Sequence, residues 1–110
     1  MKVLITGSAG FIGFHLSKLL LEKGITVIGI DGMTDYYDIK LKEDRNKILE
    51  SYDHFTFHRN MLSDTEKIVE IVKKNNVDTI VHLAAQAGVR YSIENPKSYI
   101  DSNIYGSFSI

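Results

Sequence analysis

The stretch that decides the fold is residues 1–31, MKVLITGSAGFIGFHLSKLLLEKGITVIGID. A short apolar run leads into Gly7-x-x-Gly10-x-x-Gly13, a helical pattern follows, and a second apolar run ends on Asp31. This order of strand, glycine turn, helix, strand and acid is typical of a turn that binds the phosphates of a dinucleotide. Glycines can also serve only as turn formers, but the agreement of the whole pattern favours phosphate binding.

The three glycines have separate physical roles in such a turn. Gly7 allows the tight turn from strand to helix, Gly10 lets the backbone approach a pyrophosphate, and Gly13 lets the helix pack closely on the sheet. We expect the backbone N–H groups of residues 9–12 to face the phosphates, helped by the positive end of the helix dipole.

Asp31 bears on the choice of cofactor. It follows the last glycine by about 20 residues, where an acid can accept hydrogen bonds from an adenosine ribose. A 2′-phosphate at that place would meet a like charge, and no Arg or Lys lies between Asp31 and Ile39 to offset it. The sequence therefore predicts NAD rather than NADP. The alternative is that Asp31 is a turn residue at the end of a strand, before Gly32.

Length and composition limit the class of protein. The chain has 110 residues, of which 44% are hydrophobic, a net charge of −1 and no cysteine. These values indicate one small globular domain or part of a larger one, with neither a nucleic-acid nor a membrane-surface partner. Without cysteine there is no disulfide or thiolate chemistry, which fits a cytoplasmic location. The apolar run Val3–Ile5 is far too short for a signal peptide or a membrane span.

Apolar runs alternate with helical patterns along the whole chain, which predicts a Rossmann-like, doubly wound parallel α/β sheet with crossover helices. The expected strands are Lys2–Thr6, Thr26–Ile30, His54–Arg59 and Val77–Leu83, the last buried on both faces. The expected helices cover Phe11–Lys23, which Gly24 ends, Ile39–Glu50, a segment opened by the capping box Ser63-x-x-Glu66, and a last segment opened by Asn95-Pro96. The residues expected to face the core are Ile12, Leu16, Leu19 and Leu20 in the first helix, Leu41, Ile48 and Leu49 in the second, and Ile68, Val69, Ile71 and Val72 in the third.

The last predicted helix is still running at Ile110, and four strands make only half of a doubly wound sheet. We therefore expect residues 1–110 to be the N-terminal, NAD-binding part of something longer. An open edge on the fourth strand and apolar side chains on more than one face of the last helix also predict a homo-oligomer. Those side chains are Tyr99, Ile100, Ile104, Tyr105 and Phe108.

Other candidate groups are weaker. The histidines at positions 15, 54, 58 and 82 show no metal-ligand spacing, so no metal site is predicted, and His82 is expected to be a hydrogen-bonded core residue. Tyr36-x-x-x-Lys40 has the tyrosine–lysine spacing of reductases, but it lies beside the expected adenosine and is not expected to be catalytic.

The segment after the fourth strand, LAAQAGVRYS, lies at the carboxyl end of a strand near the switch point, where doubly wound sheets bind ligands. Its small residues Ala84 and Ala85 would let the backbone approach the cofactor. Arg90 could bind a carboxylate or phosphate in a fork geometry, or it is simply an exposed charge in a loop.

Three segments together carry a family resemblance. TGSAGFIG at 6–13, the acid at Asp31 and HLAAQAGVRYSIENPKSYIDSN at 82–103 resemble the extended short-chain dehydrogenase/reductases that act on nucleotide sugars. Within that family, DYYD-x-x-LK at 35–42 and AAQAGVRYS at 84–92 are most similar to UDP-glucuronate 4-epimerases. The glycine motif is shared by many relatives, whereas the other two segments are narrower.

The resemblance implies a reaction and a set of contacts. A tightly held NAD would take hydride from C4 of the sugar, and the 4-keto sugar would turn over and receive the hydride on its other face. The implied cofactor contacts are Gly7, Gly10, Phe11 and Ile12 with the pyrophosphate, Asp31 with the adenosine ribose, Asn60 and Met61 beside the adenine, Leu83, Ala84 and Ala85 towards the nicotinamide, and Ser102 or Asn103 behind it. The implied substrate contacts are Gln86 and Arg90, the latter a candidate for the uronate carboxylate.

Two departures from the family pattern matter. Many relatives carry Asp where this chain has Asn60, so weaker adenine binding is expected. The family's catalytic Ser/Thr and its Tyr-x-x-x-Lys are expected beyond residue 110, with most of the substrate domain, so these 110 residues alone should be inactive. The alternatives are a fragment of a nucleotide-sugar dehydratase, and a stand-alone dinucleotide-binding or interaction module.

Overall fold

The computed structural model describes residues 1–33 and 39–84. In these ranges strands and helices alternate without exception. The elements are β1 (Lys2–Thr6), α1 (Phe11–Glu22), β2 (Thr26–Asp31), α2 (Ile39–Glu50), β3 (Phe55–Arg59), α3 (Thr65–Lys74) and β4 (Thr79–His82). The predicted last helix, its opening at Asn95-Pro96 and Tyr36 lie outside the described residues.

The four strands form one parallel sheet in the order β3-β2-β1-β4. The chain therefore builds outward from β1 to β3, and α3 then carries it back across the sheet to the other side of β1. This reversal between β1 and β4 is the switch point of a doubly wound fold, where the carboxyl ends of the strands leave a crevice. The predicted Rossmann-like parallel sheet is confirmed.

The sheet is covered on both faces because successive side chains of a strand point to opposite sides. One core contains Val3, Ile5, Phe14, Leu21, Val27, Leu49 and Phe55, and thus lies beneath α1 and α2. The other contains Leu4, Ile28, Ile30, Leu62, Ile68 and Ile71, beneath α3. Full burial of each such side chain is worth about 1.5–3 kcal/mol. These two cores hold the carboxyl edge of the sheet in place.

The predicted core face of α1 is wrong in two of its four positions: Leu16 and Leu20 pack against the core as expected, but the other two do not. Ile12 is 66% exposed and Leu19 is 50% exposed, and the residues buried in this helix are Gly13, Phe14, Ser17 and Leu21. The helix is rotated because Gly13 lies directly against the turn that precedes the helix, which brings the residues three to four positions further on into the core. Gly24, with φ +79°, follows the end of α1 as predicted.

The predicted core face of α2 is also wrong in two of three positions. Leu41 and Ile48 are 42% and 47% exposed, whereas Lys42, Asn46 and Leu49 are buried. A polar residue occupies the buried face because Lys42 has a carboxylate partner beneath the helix, as described below.

Two local predictions near the end of the described chain need correction. The N-cap of α3 is Asp64 rather than Ser63, and its side chain accepts a hydrogen bond from the Lys67 N–H at 3.4 Å. A carboxylate is favoured there by the helix dipole. The strand β4 is shorter than predicted and is not buried on both faces: Thr79 and His82 are exposed, and the two residues between them are half-buried. Within the described ranges β4 pairs only with β1.

Candidate functional site

The glycine turn connects β1 to α1 at the carboxyl edge of the sheet. Gly7 has φ +75°, a left-handed conformation that favours glycine, and its N–H donates to the Ile30 carbonyl at 2.7 Å. A Cβ on Gly7 would lie 3.0 Å from the Ala84 nitrogen. The turn is therefore tied to the end of β2 and lies in close contact with the backbone that leaves β4.

Gly13 holds α1 against this turn. A Cβ at Gly13 would lie 2.0 Å from the Gly7 carbonyl oxygen and 3.1 Å from the Ser8 Cα. Both neighbours are backbone atoms, so no side-chain rotation could make room. Only glycine lets the first turn of α1 approach this closely.

The backbone N–H groups of the turn divide into two sets. The Ala9 N–H donates to Asp31 Oδ2 at 3.1 Å, and the Gly10 N–H donates to the Gly7 carbonyl at 3.0 Å. The expectation that both would face phosphates is therefore wrong. The N–H groups of Phe11 and Ile12 have no acceptor among residues 1–33 and 39–84.

The start of α1 is thus open to an external anion. Gly10 is the N-cap and has no side chain to bond the first helical N–H groups. Phe11 and Ile12 are each 66% exposed at this end. Unsatisfied N–H groups, together with the positive end of the helix dipole, make such a terminus suitable for a phosphate group.

Asp31 lies at the end of β2, beside the turn, and is 5% exposed. Its Oδ2 accepts from the Ala9 N–H at 3.1 Å, and its Oδ1 accepts from the Met33 N–H at 2.8 Å. The Lys42 ammonium also donates to Oδ1, at 3.1 Å. The Asp31 carboxylate thus holds the glycine turn against the end of β2, and Lys42 balances the charge of the carboxylate.

Two basic residues of α2 were missed by the sequence analysis. No Arg or Lys lies between Asp31 and Ile39, but Lys42, which lies beyond that segment, pairs with Asp31 and offsets its charge. The Arg45 guanidinium donates to the Ala9 carbonyl at 3.2 Å. A buried acid at the end of a strand requires a counter-charge, and Lys42 is also the last residue of the DYYD-x-x-LK segment, so both signals could have indicated it.

Thr6 organises the backbone at the end of β4. Its Oγ1 accepts from the N–H groups of Leu83 at 2.9 Å and Ala84 at 3.1 Å, and it lies 2.7 Å from His82 Nδ1. With two N–H groups donating to this hydroxyl, its own proton is left to donate to His82 Nδ1 when that nitrogen is unprotonated. Burial lowers the pKa of His82, which favours the neutral ring.

The structure places part of the predicted site at this one edge. Leu83 and Ala84 lie beside Gly7, and Asn60 and Met61 follow β3, where Asn60 is half-buried and Met61 is exposed. His82 is hydrogen-bonded as expected, but it is an exposed residue rather than a core residue. The predicted residues outside the described ranges are Ala85, Gln86, Arg90, Ser102 and Asn103.

Two classes of site find no support in the described ranges. Residues 1–33 and 39–84 contain no cluster of three His, Cys, Asp or Glu side chains that could hold a metal ion. None of the described helices has the length and apolar character needed to cross a bilayer. The open start of α1, with Asp31 beside it, is the feature with the clearest chemistry.

Comparison with known proteins gives consistent relatives. The family described as GDP-mannose 4,6 dehydratase matches residues 4–110. A probable UDP-glucuronate 4-epimerase of Rhizobium meliloti is 50% identical over 110 residues, which are 100% of this chain and 32% of that protein. Protein CapI of Staphylococcus aureus is 51% identical over 100% of this chain and 33% of its own length.

A solved structure agrees in fold as well. UDP-glucuronic acid 4-epimerase from Bacillus cereus, in complex with UDP-glucuronic acid and NAD, superimposes with a TM-score of 0.89 at 34% identity. The match covers 99% of this chain and 34% of the epimerase. This chain thus spans about a third of the length of these relatives. It belongs to the GDP-mannose 4,6 dehydratase family, within the extended short-chain dehydrogenase/reductases that include the nucleotide-sugar epimerases.

Proposed function

We propose that this chain is the NAD-binding part of a nucleotide-sugar epimerase, and that the whole protein is a UDP-glucuronate 4-epimerase. The observation that carries the proposal is the open start of α1 with the Asp31 carboxylate beside it. The relatives named as UDP-glucuronate 4-epimerases, and the neighbour with bound NAD, support the choice of cofactor and sugar.

The described residues fit the pyrophosphate of such a cofactor. The N–H groups of Phe11 and Ile12 are available to phosphate oxygens, and the helix terminus carries roughly half a positive charge. Gly7 packs closely on the backbone that leaves β4, because a Cβ there would lie 3.0 Å from the Ala84 nitrogen. Glycine at this position therefore lets the turn and the end of β4 lie side by side at the proposed site.

The described residues also fit an adenosine ribose. The Asp31 carboxylate has about four lone-pair sites, and donors among residues 1–33 and 39–84, namely Ala9, Met33 and Lys42, use three of them. One site is left to accept a ribose hydroxyl. Asn60 and Met61, which follow the neighbouring strand, are assigned to the adenine by resemblance.

NAD, when bound, supplies the hydride acceptor for oxidation at C4 of the sugar. The part of this chain is to bind and orient the cofactor: the turn holds the pyrophosphate, and Asp31 holds the ribose. Thr6 fixes the backbone of Leu83 and Ala84 on the route to the nicotinamide. Gln86 and Arg90 are proposed to contact the sugar, and Ala85, Ser102 and Asn103 the cofactor. A homo-oligomer and a cytoplasmic location stay predictions.

Calorimetric titration of the 110-residue chain with NAD and with NADP tests the proposal. We expect NAD to bind more tightly than NADP. Asp31→Ala should reduce the difference between the affinities for the two cofactors. The matched control is Asp44→Ala, which removes an exposed acid of α2 and should leave the difference unchanged. The same sample should not convert UDP-glucuronate, because no residue in it is assigned as the catalytic base. Failure to bind NAD, or equal affinity for both cofactors, would contradict the proposal.

A nucleotide-sugar dehydratase is the second candidate, because the matching family is described by a dehydratase. The whole protein would then release a 4-keto-6-deoxy sugar instead of the C4 epimer, so product analysis separates the two. A stand-alone dinucleotide-binding module would show cofactor binding without either reaction.

A further inference from the structure

We propose that Lys42 is a specificity-determining residue of the cofactor site, because its charge cancels the charge with which Asp31 would repel a 2′-phosphate. The proposal rests on the proposed binding of an adenine dinucleotide at this edge. It concerns a residue on α2, which belongs neither to the glycine turn nor to the strand that carries Asp31.

The contact between the two residues is a buried ion pair. Lys42 Nζ lies 3.1 Å from Asp31 Oδ1, and the two side chains are 10% and 5% exposed. Lysine is almost never buried unless it is paired. Here Lys42 occupies the inner face of α2 while Leu41 next to it is 42% exposed. The packing of α2 is thus arranged so that the ammonium reaches the carboxylate.

The position of the pair matters for ligand recognition. Asp31 Oδ2 accepts from the Ala9 N–H in the glycine turn, so the pair lies directly beside the proposed cofactor. Burial lowers the effective dielectric, which strengthens the effect of each charge on a nearby ligand group. A 2′-phosphate carries between one and two negative charges, so it responds strongly to the sum of the two side-chain charges.

The sum of the two charges is zero in the native chain. Preference for NAD then rests on the hydrogen bond that Asp31 accepts from a 2′-hydroxyl, which a phosphate ester at that oxygen cannot donate. Removing the positive charge should add repulsion of NADP. Removing the negative charge should abolish the repulsion by Asp31 while the positive charge of Lys42 stays nearby, so NADP should bind better relative to NAD. Substitution of Lys42 and substitution of Asp31 should therefore change the ratio of the dissociation constants for NADP and NAD in opposite directions.

The experiment measures the ratio of the dissociation constants, Kd for NADP over Kd for NAD, by calorimetry on the 110-residue chain. We expect Lys42→Met to raise this ratio by about tenfold or more, and Asp31→Asn to lower it by a similar factor. The double variant Asp31→Asn/Lys42→Met is neutral, as the native pair is, and should return to within a few-fold of the native ratio. Lys47→Met, an exposed lysine of the same helix, is the control for a general change in charge and should leave the ratio unchanged.

Each outcome separates this inference from the proposed function. A native chain that does not bind NAD would overturn the proposed function. If the native chain binds NAD but Lys42→Met lowers the ratio of the two dissociation constants or leaves it unchanged, only the role of Lys42 is overturned. The melting temperature of each variant reports whether it folds. Should Lys42→Met fail to fold, Lys42→Gln and Asp31→Asn carry the test, and a ratio in Asp31→Asn equal to the native ratio would overturn the inference.

Discussion

Replacing Gly13 by alanine tests the close approach between α1 and the glycine turn. The new Cβ would lie 2.0 Å from the Gly7 carbonyl oxygen and 2.8 Å from its carbonyl carbon, whereas ordinary contact begins at 3.4 Å. The helix would have to retreat by more than 1 Å, because neither neighbour is a side chain that could rotate away. Phe14 and Leu21, which are 8% and 2% exposed, would move with it.

The expected cost follows from two opposing effects. Overpacking of this kind destabilises by about 1–3 kcal/mol and occasionally more. Alanine in place of glycine within a helix returns up to about 1 kcal/mol. Because the clash is with backbone, we expect the upper part of the range to apply and Gly13→Ala to lower the free energy of unfolding by about 2 kcal/mol. It should also weaken NAD binding, since the N–H groups of Phe11 and Ile12 move with the helix.

Urea denaturation followed by circular dichroism measures the first effect, and calorimetry measures the second. The matched control is Gly24→Ala, where nothing lies within 4 Å of the new Cβ and only the left-handed conformation, φ +79°, is unfavourable. That control should cost about 1 kcal/mol and leave NAD affinity unchanged. The reasoning is refuted if Gly13→Ala is no less stable than Gly24→Ala, or if it binds NAD as the native chain does.

Two further predictions concern the ends of β4 and β3. Thr6→Val removes the hydroxyl that accepts from the N–H groups of Leu83 and Ala84, so it should lower the free energy of unfolding by about 1–3 kcal/mol. Thr6→Ser keeps the hydroxyl and should retain most of that stability. Equal loss in both variants would show that the hydroxyl is not the cause. Burial, and then the charges of Lys67 and Lys74, lower the pKa of His58 below its ordinary 6.5. The unfolded chain therefore binds a proton at this residue more readily than the folded chain does. The free energy of unfolding should fall as the pH drops through 6.5 towards the lowered pKa. We expect the melting temperature to fall between about pH 7.5 and pH 5.5 and His58→Leu to reduce that fall; an identical fall in the variant would contradict this.

The sequence by itself determined the order of the elements and brought the candidate site residues to the ends of the strands. The bounds of β1 and α2 agree with the prediction, and those of β2, α1 and β3 differ by one residue. These features depend on local signals: the glycine turn, the apolar runs and the residues that end helices. The parallel sheet follows because regular alternation of strands and helices is typical of crossover connections, which return each strand in the same direction. Placement of Gly7, Asp31 and Asn60 at one edge follows from the same order.

The inward face of α3 was predicted largely correctly, since Ile68 and Ile71 are buried and Val72 packs against them, but the tertiary structure decided how α1 and α2 are rotated and which charges meet. Hydrophobic spacing gives the period of a helix, but its rotation is set by contacts with residues distant in sequence. Gly13 against the turn sets the rotation of α1, and the pair of Lys42 with Asp31 accompanies the rotation of α2. Arg45 reaches the Ala9 carbonyl across 36 positions of sequence. No local pattern encodes such a pairing, because it exists only once α2 has packed over the end of β2.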